Sequence, residues 1–151
     1  MKYVFSLLIL SVFLMSCAKK KAENQAIEDA VIIQQYIADN GLMAIKNTSG
    51  LNYVRNVVGG GASCSALSTV TVAYKGYFTD GTVFDESPAE GITFSLSAVI
   101  PGWTEGIPYF KEGGNGVLLV PSALGYGPKG RGSIPGNTVL VFDVHLIEVV
   151  E

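Results

Sequence analysis

The stretch Val99-Ile100-Pro101-Gly102-Trp103 is the most informative part of this 151-residue chain. Proline suits the first turn of a helix, where its missing N–H has no partner to lose, so a short helix is predicted to begin near Pro101. Pro108 cannot donate the hydrogen bond that a continuing helix needs, so we expect the helix to end within about two turns. Trp103 then lies at the start of a short helix, among segments with the composition of strands.

The chain is strand-like after Thr48-Ser49-Gly50, because Val, Thr, Tyr and Phe are enriched there and Gly or Asp-Gly marks the breaks. Strands are predicted at about 51–57, 69–78, 82–85, 91–96, 115–121 and 138–149. Before them, apolar residues at helical spacing predict an amphipathic helix over about 23–39, stopped by Asn40-Gly41. Its wide apolar face predicts docking on its own domain, which we favour, on a second copy or on a client.

Single aromatic residues recur on these segments, at Tyr74, Phe84, Tyr126 and Phe142. In order and separation they resemble the FKBP-type peptidyl-prolyl isomerases. The resemblance covers about 50–150 and includes Gly-Tyr-Phe-Thr-Asp-Gly-Thr-Val-Phe-Asp (76–85) and Val-Ile-Pro-Gly-Trp-Thr-Glu-Gly (99–106). It implies an α+β fold in which an antiparallel β-sheet wraps around a short α-helix, and it implies peptidyl-prolyl cis-trans isomerase activity.

The resemblance also implies a role for each pocket residue. Trp103 would form the floor under the proline ring of a substrate, while the N–H of Ile100 and the hydroxyl of Tyr126 would bond substrate carbonyls. Asp85 would orient Tyr74 or bond the ligand, and it would not be a general base. The implied catalytic residues are Tyr74, Phe84, Asp85, Trp103, Tyr126 and Phe142, and the implied substrate-binding residues are Val99, Ile100, Ile134 and Ile92.

Three departures from the family pattern limit what the resemblance implies. Ile92 stands where many relatives have another pocket aromatic, and the segment 96–99 is shorter than in eukaryotic members. The flap, residues 127–133, is rich in glycine and carries Lys129 and Arg131. Affinity for macrolide inhibitors is therefore left open, and we expect the flap to set client preference.

The sequence offers little for covalent or metal chemistry. His145 is the only histidine, and alternation in its strand places it on the solvent face with Asp143. No cluster has metal-ligand spacing, so we predict neither a metal nor a cofactor. The glycine clusters at 59–61 and 113–116 lack the ending of a phosphate loop and are predicted to be turns or linkers. Glu105 and Glu112 are expected on the solvated surface.

The N-terminus has the pattern of a bacterial lipoprotein signal. Met1-Lys2 precedes an apolar run that ends in Leu14-Met15-Ser16-Cys17, which resembles a lipobox although Met15 is an uncommon occupant. We predict a signal peptide at 1–16, a lipidated tether and helix at 17–47 and the isomerase domain at 48–151. Plain secretion and a retained anchor are the alternatives. The predicted location is the bacterial cell envelope, with the protein anchored to a membrane through Cys17.

Charge and cysteine content exclude some kinds of partner and of covalent cross-link. Apart from Lys2 and the triplet Lys19-Lys20-Lys21 beside the anchor, six of the ten basic residues remain against thirteen acidic ones, which argues against a nucleic-acid partner. With Cys17 acylated, Cys64 has no partner for a disulfide. The implied partners are proline-containing unfolded or folding proteins. A non-catalytic proline-binding chaperone module and a structural lipoprotein remain as alternative functions.

Overall fold

The computed structural model describes the backbone of residues 2–150 and the side chains of residues 19–150. The elements in this part of the chain are α1 (Lys2–Asp39), β1 (Ile45–Lys46), β2 (Asn52–Val57), β3 (Thr69–Tyr77), β4 (Val83–Glu86), β5 (Ile92–Ser95), α2 (Pro101–Gly106), β6 (Asn115–Val120) and β7 (Leu140–Val149). Single 3₁₀ turns lie at Leu96–Ala98, Ile107–Tyr109, Ser122–Leu124 and Gly127–Lys129. The side chains of the predicted signal peptide, and that of Cys17, lie outside the described residues.

The strands form one antiparallel sheet in the order β1-β2-β6-β7-β3-β4, with β5 paired to β3 beside β4. Each predicted strand is present, and the sheet with its short helix confirms the predicted fold class. β1 was missed because a strand of two residues is too short to show alternation. α1 starts earlier than predicted, since neither glycine nor proline interrupts the chain before Asn40.

Alternation along β6 and β7 divides their side chains between two hydrophobic clusters. The larger cluster contains Leu118, Phe142 and Val144, which face α2 and the pocket. The smaller contains Leu119 and Val141, which lie on the opposite face of the sheet. His145 and Asp143 are exposed beyond the end of this second cluster, as predicted.

Two glycines allow α2 to lie directly on β6. A Cβ at Gly102 would approach Val120 Cγ1 to 2.5 Å, and one at Gly106 would approach Leu118 Cδ2 to 2.8 Å. Residues four apart share a helix face, so both close approaches occur along one line. Pro101 begins the helix and Pro108 lies in the turn that follows its end, as expected. This packing determines where Trp103 is held.

α1 docks on the outer face of the sheet, which is the option we favoured. Ile33 is buried against Leu119, Val139 and Val141. Ile27 and Val31 remain 64% exposed, so part of the apolar helix face is uncovered. No described helix is long and apolar enough to cross a membrane.

Polar contacts also join the segment before residue 48 to the rest of the molecule. Asn47 donates through Nδ2 to Glu105 Oε1 at 2.8 Å and to the Tyr109 hydroxyl at 2.6 Å. Glu105 also accepts from Ser49 at 2.8 Å, so it is a partly buried structural residue and not a merely solvated one. The domain division at 47/48 stays a prediction.

Two further predictions, the solvated surface position of Glu112 and the turn at 113–116, need correction. Glu112 Oε2 accepts a hydrogen bond from the backbone N–H of Val149 at 3.1 Å, so its carboxylate caps the end of β7. The cluster 113–116 is a turn only at its first residues, because Asn115 and Gly116 already belong to β6. In both cases the difference comes from a strand that is distant in sequence: β7 for Glu112, and β2 and β7 for the start of β6.

Candidate active site

A cavity of about 730 Å³ lies between α2, strands β3 to β5 and the flap. It brings together all of the pocket residues predicted from the sequence. Its lining also includes residues that were not predicted. The predicted residues are Tyr74, Phe84, Asp85, Ile92, Val99, Ile100, Trp103, Tyr126, Ile134 and Phe142; the others are Phe94, Ala98, Arg131, Gly132 and Ser133.

Trp103 forms the floor of this cavity and is only 5% exposed. Tyr74 and Phe142 meet the indole edge to face, with ring centroids 4.8 and 5.2 Å away. Phe94 packs against it at 5.4 Å. Indole Nε1 is buried with no hydrogen-bond partner among the described residues. Aromatic contacts on several sides therefore hold the floor in one orientation.

The wall opposite α2 is built by the pairing of β3 with β4. Phe84, on β4, meets Phe142 edge to face with centroids 5.6 Å apart, and Phe78 supports Phe84 at 5.0 Å. A Cβ at Gly76 would lie 2.7 Å from the Phe84 ring and 2.8 Å from the Phe142 ring. The glycine on β3 thus leaves the space that these two rings occupy.

A tyrosine–carboxylate pair is the main polar feature of the wall. The Tyr74 hydroxyl donates to Asp85 Oδ2 at 2.6 Å. Burial, and then the hydrogen bond and negative charge of Asp85, raise the pKa of the Tyr74 phenol above its usual range. Tyr74 is therefore a protonated donor at neutral pH and is already engaged by Asp85.

Two further polar groups are placed at the edge of the cavity. The carbonyl of Ile100 accepts from the N–H groups of Trp103 and Thr104, at 2.9 and 3.2 Å, while its own N–H has no acceptor among the described residues. Tyr126 lines the flap side, with the Arg131 guanidinium 5.7 Å from its ring centroid. Arg131 and Ile134 exchange backbone hydrogen bonds at 2.9 Å, which folds the flap back toward the cavity.

Sequence reasoning missed Phe94, and it named Arg131 only as part of the flap that sets client preference, not as a residue that lines the cavity. Ile92 is 41% exposed at the rim, while Phe94, two positions along the same strand, contacts the floor. Side chains two apart lie on the same face of a strand, so the position of Ile92 could have indicated Phe94. Arg131 gave no comparable signal, because the fold of a glycine-rich flap is not periodic.

Other reactive groups lie apart from this cavity. Cys64 is half-buried, and burial raises the pKa of its thiol, which makes it a weaker nucleophile. Among the described residues, no three His, Cys, Asp or Glu side chains are grouped so that they could hold a metal ion.

Comparison with known proteins agrees with this geometry. The family model described as FKBP-type peptidyl-prolyl cis-trans isomerase matches residues 61–147. A structure of a peptidyl-prolyl cis-trans isomerase from Pseudomonas syringae superposes with a TM-score of 0.74 at 30% identity, over 85% of this chain and 96% of that one. The chain belongs to the FKBP-type peptidyl-prolyl cis-trans isomerase family.

Several relatives carry the name FkpA. The FKBP-type peptidyl-prolyl cis-trans isomerase FkpA of Aeromonas hydrophila is 44% identical over 135 residues, which are 87% of this chain and 50% of the relative. The crystal structure of FkpA from Escherichia coli superposes with a TM-score of 0.73 at 36% identity, over 95% of this chain and 70% of that one. The chain spans about half the length of the curated relatives it matches.

Proposed function

We propose that this chain is a peptidyl-prolyl cis-trans isomerase that accelerates X-Pro rotation in proteins folding outside the cytoplasm. The observation that carries the proposal is a single aromatic cavity, floored by Trp103, that contains every pocket residue implied by the family pattern. The names of its relatives state the same activity. Its substrates are then proline-containing segments of unfolded or folding proteins.

The chemistry requires no proton transfer and no covalent intermediate. Rotation about a prolyl amide is slow because the planar bond loses its resonance, with a barrier of about 18–20 kcal/mol. An enzyme lowers that barrier if it binds the twisted amide better than the planar one, and each 1.36 kcal/mol of preference gives about tenfold in rate. An apolar cavity contributes because the planar amide is the more dipolar form and loses more hydration on entry.

The pocket residues fit this mechanism in distinct ways. The proline ring packs on the Trp103 indole, between the Tyr74, Phe84 and Phe142 rings. The free N–H of Ile100 donates to the substrate carbonyl after the proline, and the Tyr126 hydroxyl donates to the carbonyl before the rotating bond. Asp85 acts through its hydrogen bond to Tyr74, which holds that ring against the floor. The remaining lining residues, Val99, Ile134 and Ile92, close the apolar walls.

A turnover assay on the full chain tests the proposal. The cis-to-trans rate of a short prolyl peptide is measured with and without the protein, and acceleration that rises linearly with protein concentration is expected. Saturable peptide binding without acceleration would instead support the alternative, a proline-binding chaperone module. If the protein neither binds the peptide nor accelerates its isomerisation, the isomerase and the chaperone module are both refuted, and a structural role is left. A macrolide can then be tested as an inhibitor of any turnover observed.

The polar pocket residues should each contribute modestly. Tyr126→Phe removes one neutral hydrogen bond, usually about 0.5–1.5 kcal/mol, so turnover should fall by about 2- to 10-fold. Asp85→Asn keeps an acceptor for Tyr74 and should also cost only several-fold. The rate should stay nearly flat from about pH 6 to 8, because the raised pKa of Tyr74 keeps its phenol protonated throughout that range.

A general-acid mechanism predicts a different result for the turnover of these two variants. Loss of a proton-transfer residue costs about 100- to 10,000-fold and imposes a pH dependence on the rate. Turnover of both variants is therefore compared across pH, with circular dichroism to show that each is folded. A thousand-fold loss in either folded variant would refute the pocket-only mechanism.

We also propose that the protein is a lipoprotein of the bacterial cell envelope, anchored through Cys17. Support comes from the lipobox-like sequence and from the Lys19-Lys20-Lys21 triplet beside it, which suits an anionic membrane surface. Cys17→Ser should abolish incorporation of a labelled fatty acid, because acylation requires the thiol, while the folded domain keeps its turnover. Cys64→Ser is the matched control and should keep the label. Label that persists in Cys17→Ser would overturn the assignment.

A further inference from the structure

A buried acidic side chain joins the N-terminal helix to the loop that leads to Tyr126. Asp29 on α1 is only 1% exposed. Its Oδ2 accepts from the backbone N–H of Ser122 at 2.8 Å and from the Ser122 hydroxyl at 2.6 Å. Its Oδ1 accepts from Gln25 Nε2 at 2.9 Å. Three hydrogen bonds therefore hold the Asp29 side chain in one orientation.

Ser122 begins the loop that carries Tyr126. It is the first residue of the 3₁₀ turn Ser122–Leu124, and its carbonyl accepts from the N–H of Gly125 at 3.1 Å. Tyr126 follows directly and lines the pocket. Asp29 is therefore hydrogen-bonded to the turn that precedes Tyr126, and the Tyr126 hydroxyl is the proposed donor to the substrate.

The helix also borders the loop after Tyr126. A second cavity of about 320 Å³ has Lys21, Ala22 and Gln25 of α1 on one side and Gly127 and Pro128 of the flap on the other. The N–H of Asn137, which lines the same cavity, donates to the Gly127 carbonyl at 2.9 Å and closes the base of the flap. α1 thus meets the loop on both sides of Tyr126.

The loop needs support of this kind. Tyr126 stands between Gly125 and Gly127, and glycine restricts the backbone less than any other residue. A hydrogen bond prefers an angle above about 150° and weakens steeply below about 120°, so a displaced loop would misdirect the hydroxyl. Contacts from outside the loop must hold the tyrosine in place.

We propose that Asp29 is a positioning residue, which holds the Tyr126 loop through Ser122 and so couples the N-terminal helix to the pocket. The proposal rests on the proposed function of the pocket. Asp29 does not line the aromatic cavity floored by Trp103, and it acts on that cavity only through the loop. The helix is then part of the apparatus that orients the substrate, in addition to any role as a tether.

A double-mutant cycle on the full chain tests this role. Asp29→Ala should lower kcat/KM on a short prolyl peptide by about 2- to 10-fold, no more than Tyr126→Phe does, because only one neutral hydrogen bond is lost. In the Tyr126→Phe background Asp29→Ala should cost nothing further, since the hydroxyl that it positions is gone. Asp29→Asn keeps one acceptor for Ser122 and should recover part of the loss.

The control is Ile33→Ala, one turn further along the same helix face. It removes apolar contact with Leu119, Val139 and Val141 and leaves the hydrogen bonds between Asp29 and Ser122 in place. It should lower the melting temperature yet leave kcat/KM unchanged. All variants are assayed at a temperature where circular dichroism shows them folded, and Ser122→Ala replaces Asp29→Ala if the latter does not fold.

Two results would overturn the proposal. One is an Asp29→Ala loss that persists undiminished in the Tyr126→Phe background, and the other is an equal loss of kcat/KM in Ile33→Ala. If the wild type binds the peptide without turnover, the isomerase proposal fails. The same variants are then compared by their Kd for the peptide. The same two results, now in Kd, would overturn the role of Asp29. A wild type that neither binds nor turns over the peptide would overturn both proposals.

Discussion

Trp103→Ala is expected to remove most of the isomerase turnover and to destabilise the fold. The indole is 5% exposed and is packed by Tyr74, Phe94 and Phe142. Truncating a buried Phe or Trp to alanine costs about 3–5 kcal/mol, which in a domain of this size lowers the melting temperature by on the order of 10–20 °C. Loss of the floor should lower kcat/KM by about 10- to 100-fold, as contact with the proline ring disappears.

Trp103→Phe is the matched control, because it keeps an aromatic ring between Tyr74 and Phe142. It should lose less stability than the alanine variant and retain a larger share of the turnover. Thermal unfolding and peptide turnover are measured for both, the second at a temperature where each is folded. Near wild-type turnover in folded Trp103→Ala would refute the assignment of the indole as the pocket floor.

Gly116→Ala should be among the most destabilising substitutions of a single methyl group in the chain. A Cβ at this position would be in steric conflict with the carbonyl oxygen of Val54 on β2 and would lie 2.8 Å from the Phe110 ring. Gly116 is paired with Arg55 in the ladder between β2 and β6, so backbone has to move. Overpacking lowers the free energy of unfolding by about 1–3 kcal/mol. We expect a loss at or above the upper end of this range, because the conflicting atom belongs to the backbone and not to a flexible side chain.

Gly60→Ala is the control for this variant. A Cβ there would have no atom within 4 Å, and the backbone of Gly60 is not in the left-handed region. Its denaturant midpoint should be unchanged or slightly higher, because alanine reduces the freedom of the unfolded chain. If Gly116→Ala keeps the wild-type midpoint, β2 can move away from β6 at little cost, and the close approach is not important for stability.

Much of the fold and of the candidate site followed from local features of the sequence. Enrichment in Val, Thr, Tyr and Phe between glycine breaks located the strands, because β-branched and aromatic side chains pack well on a half-buried pleated surface. Pro101 and Pro108 predicted the two ends of the short helix, because proline suits a first helical turn and cannot donate the hydrogen bond that a continuing helix needs. The pocket aromatics could be predicted because their order along the chain matches the family pattern.

The remaining features depend on neighbours that are distant in sequence. Val141 and Asp143 share one face of β7, yet Val141 is buried, because α1 covers only the start of that face. Gly116 looked like a turn residue until β2 was placed against it. Asp29 and Ser122 are 93 positions apart, and neither carries a local sign of the other. Local composition and the positions of the prolines predicted the elements, and the family pattern predicted the pocket side chains. Only tertiary packing decided that the N-terminal helix contacts the loop carrying Tyr126.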